Sequence, residues 1–151
     1  MLLTGGQAAR EVTGLDSKSR LRPDLQIVYP GRHIMTDIAV PHSLGAYARA
    51  SPVTPTLAAK DAAGSKRRKY AAIAHRHDAE LIPFVVETCG GLGEDAIALL
   101  DVISGAASEH LSLWSQEDAA KEVLNSVAIA VQKGNAMTIL GAQAAAHLRA
   151  A

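Results

Sequence analysis

The Pro30–Gly31 dipeptide lies between two β-prone segments, and this arrangement constrains the fold more than any other feature of the chain. Both segments are rich in Ile, Val and Tyr, so we predict a β-hairpin over residues 25–40. If the turn is centred on Pro30–Gly31, Asp24 lies directly opposite Asp37. Opposed side chains leave the same face of a hairpin with Cβ atoms about 4.5–5.5 Å apart. The two carboxylates are therefore expected to converge.

Two like charges that face each other destabilise a pair of strands, and a cation offsets that cost. Mg²⁺ prefers oxygen ligands and often binds only one or two carboxylates together with water and phosphate. The pair of acids therefore indicates either a metal site formed by Asp24 and Asp37 or two solvated side chains without a ligand.

An Ala-rich, charged segment without proline predicts a helix over residues 57–77. Tyr70 and Ile73 are spaced to lie on one face, which we expect to pack on the sheet. Lys66 and Lys69 lie at the margin of that face. Their ammonium groups either reach the two carboxylates or belong to a solvated basic surface.

The charges are distributed unevenly along a chain whose net charge is zero. Residues 1–76 contain 12 Lys or Arg against 5 Asp or Glu, whereas residues 77–151 contain 3 against 10. The basic half holds the predicted hairpin and the Lys-rich helix. Positive charge around two acids suits a phosphodiester site, although such asymmetry also arises without any ligand.

Other function classes find little support in the sequence. Cys89 is the only cysteine, which excludes an internal disulfide and a Cys-rich zinc site. The longest apolar runs fall short of the roughly 20 residues that cross a bilayer, so we expect no membrane partner. The start of the chain lacks a signal-peptide pattern, which favours an intracellular location.

A nearly continuous apolar run predicts a buried strand over residues 81–87. Pro83 within it favours the edge of a sheet. Glu87 at its end is either a further metal ligand or a strand-end charge. His33 shares the face of Asp37 by alternation, and it either contacts phosphate or is a surface histidine.

The rest of the chain is predicted to be helical. A helix is expected over residues 94–108, and Ser115 is a good N-cap for a second helix that ends near Gln132. Gly134–Asn135 is expected to break or kink it, and residues 136–149 are expected to continue as an Ala-rich segment. These apolar C-terminal helices either pack on the core or pair with a second copy as a homodimer.

The order and spacing of these motifs carry a family resemblance. Arg22-Pro23-Asp24, twelve intervening residues, Asp37 and then Lys66-Arg67-Arg68-Lys69-Tyr70 on a helix resemble the restriction-like endonuclease domain of site-specific non-LTR retrotransposons. That domain belongs to the PD-(D/E)xK nuclease superfamily. The resemblance covers about residues 20–105 and implies a fragment of a longer, reverse-transcriptase-associated protein.

The resemblance implies a DNA endonuclease that uses Mg²⁺ or Mn²⁺ bound by Asp24 and Asp37. The superfamily's catalytic lysine usually stands two residues after the second acid, where this chain has Ala39. In the retrotransposon branch the lysine is similarly displaced onto the helix. Lys69 is our first choice for that role and Lys66 our second.

The same resemblance implies DNA as the partner and the nucleus as one candidate compartment. The residues expected to bind DNA are Arg22, Arg67, Arg68 and Tyr70. Here the basic side chains would contact the phosphate backbone.

The predicted fold is α/β, like that of restriction endonucleases: a small mixed sheet, a crossing helix and C-terminal helices. We divide the chain into a partial N-terminal lead-in (1–20), an endonuclease core (21–110) and a helical extension (115–151). Residues 7–19 look too short and polar for a full opening helix and first strand. The alternatives are therefore a catalytically inactive relic, or a nucleic-acid-binding or self-associating module.

Overall fold

The computed structural model describes residues 7–10, 15, 21–42, 56–110 and 115–150, with side chains described as far as residue 147. Six strands and three helices lie within these ranges. The strands are β1 (Gln7–Arg10), β2 (Leu25–Tyr29), β3 (Arg32–Thr36), β4 (Ile38–Ala39), β5 (Glu80–Leu81) and β6 (Phe84–Val85). The helices are α1 (Leu57–Arg76), α2 (Glu94–His110) and α3 (Gln116–Ala150). The described part of the chain is therefore mixed α/β with helices at its C-terminal end, as predicted.

The predicted hairpin is confirmed, including its register. β2 and β3 pair antiparallel, from Leu25 opposite Thr36 to Tyr29 opposite Arg32. The loop is therefore only Pro30–Gly31, and Gly31 adopts a φ of +75°. A type II turn requires positive φ at this position, which glycine adopts without a Cβ clash.

The sheet continues beyond the hairpin on both sides. β1 pairs antiparallel with β2, and β5 pairs parallel with β3, which gives the order β1-β2-β3-β5. β4 and β6 extend the β3–β5 pairing in the same register, because Ile34 faces Glu80 and Ile38 faces Phe84. Residues 7–10 of the polar N-terminal stretch do form a short strand, β1, since ladder hydrogen bonds do not require apolar side chains.

The strand predicted over residues 81–87 is two short strands separated by Ile82–Pro83. Backbone hydrogen bonds nevertheless run through the gap, because Ile82 N–H donates to Met35 C=O and Phe84 N–H to Asp37 C=O. Pro83 lies between these donors, so its ring nitrogen is directed away from β3 and β4. The predicted edge position of Pro83 is confirmed for the described sheet.

Helices cover both faces of the sheet. Met35 is directed to one face, where it packs against Tyr70, Ile73 and Ala74 of α1. Its neighbour Ile34 is directed to the other face and belongs to a cluster that contains Ile27, Ile82 and Leu99 of α2. Period-2 alternation along β3 thus assigns odd-numbered residues to the α1 side and even-numbered residues to the α2 side.

The C-terminal prediction is partly wrong. Ser115 Oγ does accept a hydrogen bond from Asp118 N–H at 3.1 Å, as expected for an N-cap. Of the break or kink expected at Gly134–Asn135, the break is absent, because α3 continues through these residues as one helix of 35 residues. A glycine costs a helix only about 1 kcal/mol. Asn135 Nδ2 also donates to Thr88 C=O at 2.8 Å, which ties the middle of α3 to the end of the sheet.

None of the described helices is long and apolar enough to cross a membrane.

The α2 side of the sheet can be tested with two isoleucines of the same hairpin arm. Ile34 is completely buried, whereas Ile38 is 41% exposed. We expect Ile34→Ala to lower the free energy of unfolding by about 2–5 kcal/mol, because it leaves a cavity. Ile38→Ala should cost under about 1 kcal/mol, because it removes less buried apolar area. Urea unfolding followed by circular dichroism measures both, and equal losses would contradict this packing.

Candidate functional site

The hairpin register brings Asp24 and Asp37 together on the α1 side of the sheet. Leu25 and Thr36 are the last paired residues, so Asp24 and Asp37 occupy the next opposed positions. Asp24 Oδ2 accepts a hydrogen bond from Ile38 N–H at 2.7 Å. A side chain at position 24 thus reaches the residue that follows Asp37, which confirms that the two acids are neighbours.

Asp37 is held rigidly and is shielded from water. Only 3% of its surface is exposed, and its backbone carbonyl accepts the Phe84 N–H at 3.1 Å. Ile38 N–H donates to the Asp24 carboxylate instead of to a carbonyl of a neighbouring strand. The chain passes from β3 to β4 in one register with the strands that follow α1. The Asp37 side chain therefore has one fixed direction, toward α1.

Lys66 makes the direct contact with this buried acid. Its Nζ atom pairs with Asp37 Oδ2, and the Lys66 side chain is 24% exposed. Lys69, our first choice, instead lies with Nζ 4.6 Å from the centre of the Tyr70 ring. Lys66, our second choice, therefore makes the contact with Asp37 that we expected of Lys69.

Lys69 nevertheless belongs to the same electrostatic group. Its hydrogen bond with the Tyr70 side chain raises the pKa of Lys69, and the negative charges of Asp37 and Asp24 raise it further. Its side chain is exposed. Lys69 is therefore a protonated ammonium at the solvent margin of the site, whereas Lys66 reaches its interior.

Tyr70 links α1 to the segment that precedes Asp24. Its hydroxyl donates a hydrogen bond to the Arg22 carbonyl at 3.0 Å, and the residue is only 3% exposed. Burial raises the pKa of the Tyr70 hydroxyl, with a smaller contribution in the same direction from Asp37. The expected DNA contact by Tyr70 is wrong, because a buried ring offers no surface to a base or a phosphate.

Lys66 neutralises the charge of Asp37, but in the described part of the chain the Oδ2 atom of Asp37 lacks the aligned hydrogen bonds that would complete its shell. Among the described residues, Asp37 Oδ2 accepts no well-aligned hydrogen bond, although Lys66 Nζ lies against it. Buried carboxylate oxygens ordinarily have hydrogen-bond partners. An oxygen of this kind beside a second carboxylate fits a hard divalent cation that completes its shell with water and phosphate.

The described residues contain no cluster of three or more His, Cys, Asp or Glu side chains suited to a metal. Glu87 is accordingly not a third ligand. Its Oε1 atom accepts the Ala59 N–H at 3.2 Å, which caps the N-terminal turn of α1. In register it faces Pro41 rather than Asp37, roughly 13 Å further along the strands at 3.3 Å per residue. Glu87 is therefore a charge just beyond the end of β6, and the N-terminus of α1 attracts its carboxylate.

His33 is also occupied within the fold. Its Nδ1 lies 3.2 Å from the His77 carbonyl, and its Nε2 lies 3.3 Å from the Gln26 side-chain oxygen. His33 shares the Asp37 face as predicted. It lies four residues away, however, and it ties the hairpin to the end of α1 rather than completing the carboxylate pair.

The three predicted arginine contacts differ in their surroundings. Arg67 pairs with Asp95 at the start of α2, which engages its guanidinium within the protein. Arg68 is exposed and donates to Ser65 Oγ at 3.0 Å. The exposed Arg22 side chain immediately precedes Pro23 and the site. Arg22 and Arg68 thus present positive charge to solvent. In the sequence, Arg22 lies close to Asp24 and Arg68 lies close to Lys66.

The raised pKa of Tyr70 predicts behaviour at alkaline pH. A phenol whose pKa is higher in the folded state contributes stability that is complete below its ordinary pKa of about 10 and is lost as pH rises through the folded-state pKa. We therefore expect the stability of the wild type to fall more steeply above pH 10 than that of Tyr70→Phe. Urea unfolding between pH 7 and pH 11 measures this difference.

Absorbance at 295 nm provides the matching control, because it follows tyrosine ionisation directly. The chain contains three tyrosines. The step that is missing from the Tyr70→Phe titration should lie above the ordinary tyrosine pKa of about 10, because burial raises the pKa of Tyr70. If the missing step lies at or below that value, the raised pKa of Tyr70 is refuted.

Comparison with known proteins identifies no family for this chain. No protein-family model matches it, and neither a curated protein nor a solved structure does. The candidate function therefore depends on the geometry of the site and on the motifs of the chain itself.

Proposed function

We propose that this chain is a metal-dependent DNA endonuclease domain of the kind found in site-specific non-LTR retrotransposons. The observation that carries the proposal is the convergence of Asp24, Asp37 and Lys66 from separate elements at one place. Two opposed carboxylates with an ammonium are the groups that metal-assisted phosphodiester hydrolysis needs.

Asp24 and Asp37 are the residues that would hold Mg²⁺ or Mn²⁺. Such an ion supplies a bound water of lowered pKa and stabilises charge on the phosphate. Asp37 is the better fixed of the two ligands, because it is buried between the strands and α1. Asp24 is half-buried, and one of its oxygens is engaged by Ile38 N–H.

Proteins of the superfamily carry the catalytic lysine on the strand, whereas in this chain a lysine of α1 would take its role. Ala39 stands at that position and packs against Ala59 and Ala63 of α1. These small side chains let the helix approach the strands closely, and a lysine at position 39 would be obstructed by them. The helix instead contributes Lys66 from its own surface.

The remaining basic residues would bind the substrate. Lys69 is oriented by Tyr70 at the exposed margin of the site, where its charge would stabilise negative charge that develops on the phosphate. Arg22 and Arg68 would contact neighbouring backbone phosphates, which fixes the DNA without selecting a sequence.

Supercoiled plasmid nicking in Mg²⁺ tests the proposal. We expect Asp37→Asn and Asp24→Asn each to lower the nicking rate by at least about 100-fold, because each removes a charged ligand. Asp61→Asn is the matched control, since Asp61 is an exposed acid of α1 outside the site. Circular dichroism confirms that each variant folds.

Two results would contradict the nuclease proposal. If Asp24→Asn and Asp37→Asn nick as fast as the wild type, the activity does not belong to this site. If the wild type shows no nicking that depends on Mg²⁺ or Mn²⁺, the inactive relic is the better description.

A specific observation also favours self-association through α3. The helix carries one charged residue, Lys133, between Val123 and Ala146. Its large apolar side chains are nonetheless exposed, by 48% to 73%. These are Leu124, Ile129, Met137, Ile139 and Leu140. Apolar surface of this extent marks an interaction site more often than a solvated face.

A second copy of the chain is the occupant that suits this surface. The start of α3 carries three acids, Glu117, Asp118 and Glu122, against one base, Lys121, which pairs with Glu117. Its later charged residues, Lys133 and Arg149, are basic. Two copies of α3 packed antiparallel would therefore bring the acidic start of each near the basic end of the other. This charge complementarity favours a homodimer over a partner of unrelated chemistry.

Light scattering tests the homodimer. We expect a dimer for the wild type and a monomer for the double variant Met137→Glu with Leu140→Glu, because two like charges at these positions cannot be buried without partners. Ala71→Glu with Ala72→Glu adds two carboxylates at exposed positions of α1 and should remain dimeric. A monomeric wild type at high concentration would exclude self-association.

A further inference from the structure

The charges of the site already balance without a metal ion. Asp24 and Asp37 carry two negative charges, and Lys66 and Lys69 supply two positive charges on the adjacent helix. A carboxylate that is 3% exposed, as Asp37 is, requires a positive partner because water does not stabilise it. Lys66 is that partner in the described structure.

Lys66 and a metal ion would compete for the same oxygen. The Lys66 ammonium lies against Asp37 Oδ2, the atom that accepts no aligned hydrogen bond and that we assign to the cation. Two cations on one oxygen repel each other, and the repulsion is strong where water is excluded. Lys66 is a quarter exposed, so its flexible stem has a route to solvent.

Lys69 differs from Lys66 in this respect. Its ammonium is held by the Tyr70 side chain rather than by a carboxylate. Tyr70 is in turn fixed by its hydrogen bond to the Arg22 carbonyl. Arrival of a metal ion would therefore leave Lys69 in place and would displace only Lys66.

We propose that Lys66 is a built-in counter-cation, which neutralises Asp37 in the metal-free protein and withdraws from it when a divalent metal ion binds. The inference rests on the proposed metal site, and it adds that the chain sets its own metal affinity. Lys66 lowers that affinity because its contact with Asp37 must be broken first. Lys66 also stabilises the buried Asp37 carboxylate when no metal ion is bound.

Calorimetric titration with Mn²⁺ tests this inference on the full chain. We expect Lys66→Met to bind Mn²⁺ at least about tenfold more tightly than the wild type, since a competing charge is removed. Lys60→Met is the matched control, because Lys60 is an exposed lysine of the same helix outside the site, and it should change the affinity by less than about threefold. Asp37→Asn should abolish binding.

Thermal unfolding gives a second readout that does not involve DNA cleavage. Without metal, Lys66→Met should melt below the wild type, because a buried carboxylate has lost its partner. Saturating Mn²⁺ should raise the melting temperature of Lys66→Met by more than that of the wild type or of Lys60→Met. If Lys66→Met does not fold without metal, Lys66→Gln, which keeps polar contacts without the charge, decides the question.

The outcomes separate this inference from the nuclease proposal. Equal Mn²⁺ affinity in the wild type and Lys66→Met, with binding lost in Asp37→Asn, would overturn the role of Lys66 and leave the metal site intact. Absence of Mn²⁺ binding in every variant would overturn the metal site itself, and both proposals with it.

Discussion

The register of the β2–β3 hairpin is the constraint on which the rest of the structure depends. It is fixed by a two-residue turn in which only Gly31 needs positive φ. A slip of one residue would exchange the faces of every side chain in the strand. Ile34 would then be directed at α1, and Asp37 would be directed into the apolar layer under α2. The same pairing that buries the core therefore also sets the two acids side by side.

The position of α1 depends on contacts that are distant in sequence. Glu87 caps its first turn, and small residues hold its next turns close to β4 and β6. Near its middle, Tyr70 binds the Arg22 carbonyl. Together these contacts fix the position of α1 relative to the strands. For this reason Lys66, and not another residue of α1, contacts Asp37. The site is consequently a product of the whole α1 side and not of the hairpin alone.

Local patterns explain which features could be predicted. The hairpin, α1 and the Ser115 cap are encoded by turn residues, β-propensity and capping within a few positions, so sequence reasoning located them. The packing of Tyr70 on the sheet follows from its helical spacing with Ile73, as predicted. Its hydrogen bond to Arg22 and the capping role of Glu87 join residues 28 or more positions apart, and no local signal reports such contacts. The bond from Asn135 to Thr88 is also distant in sequence, and it supports the helix at Gly134–Asn135, where the local helix propensity is weak.

Pro83 has a consequence that extends beyond its own strand. It is fully buried, and in register it lies opposite Asp37, between β5 and β6. Any other amino acid would place an N–H group there, directed away from β3 and β4 into a region that water does not reach. Proline has no such donor, so no polar backbone group is buried without a partner at this point. The chain can therefore pass beside the acidic pair in a dry environment without the cost of an unpaired N–H group.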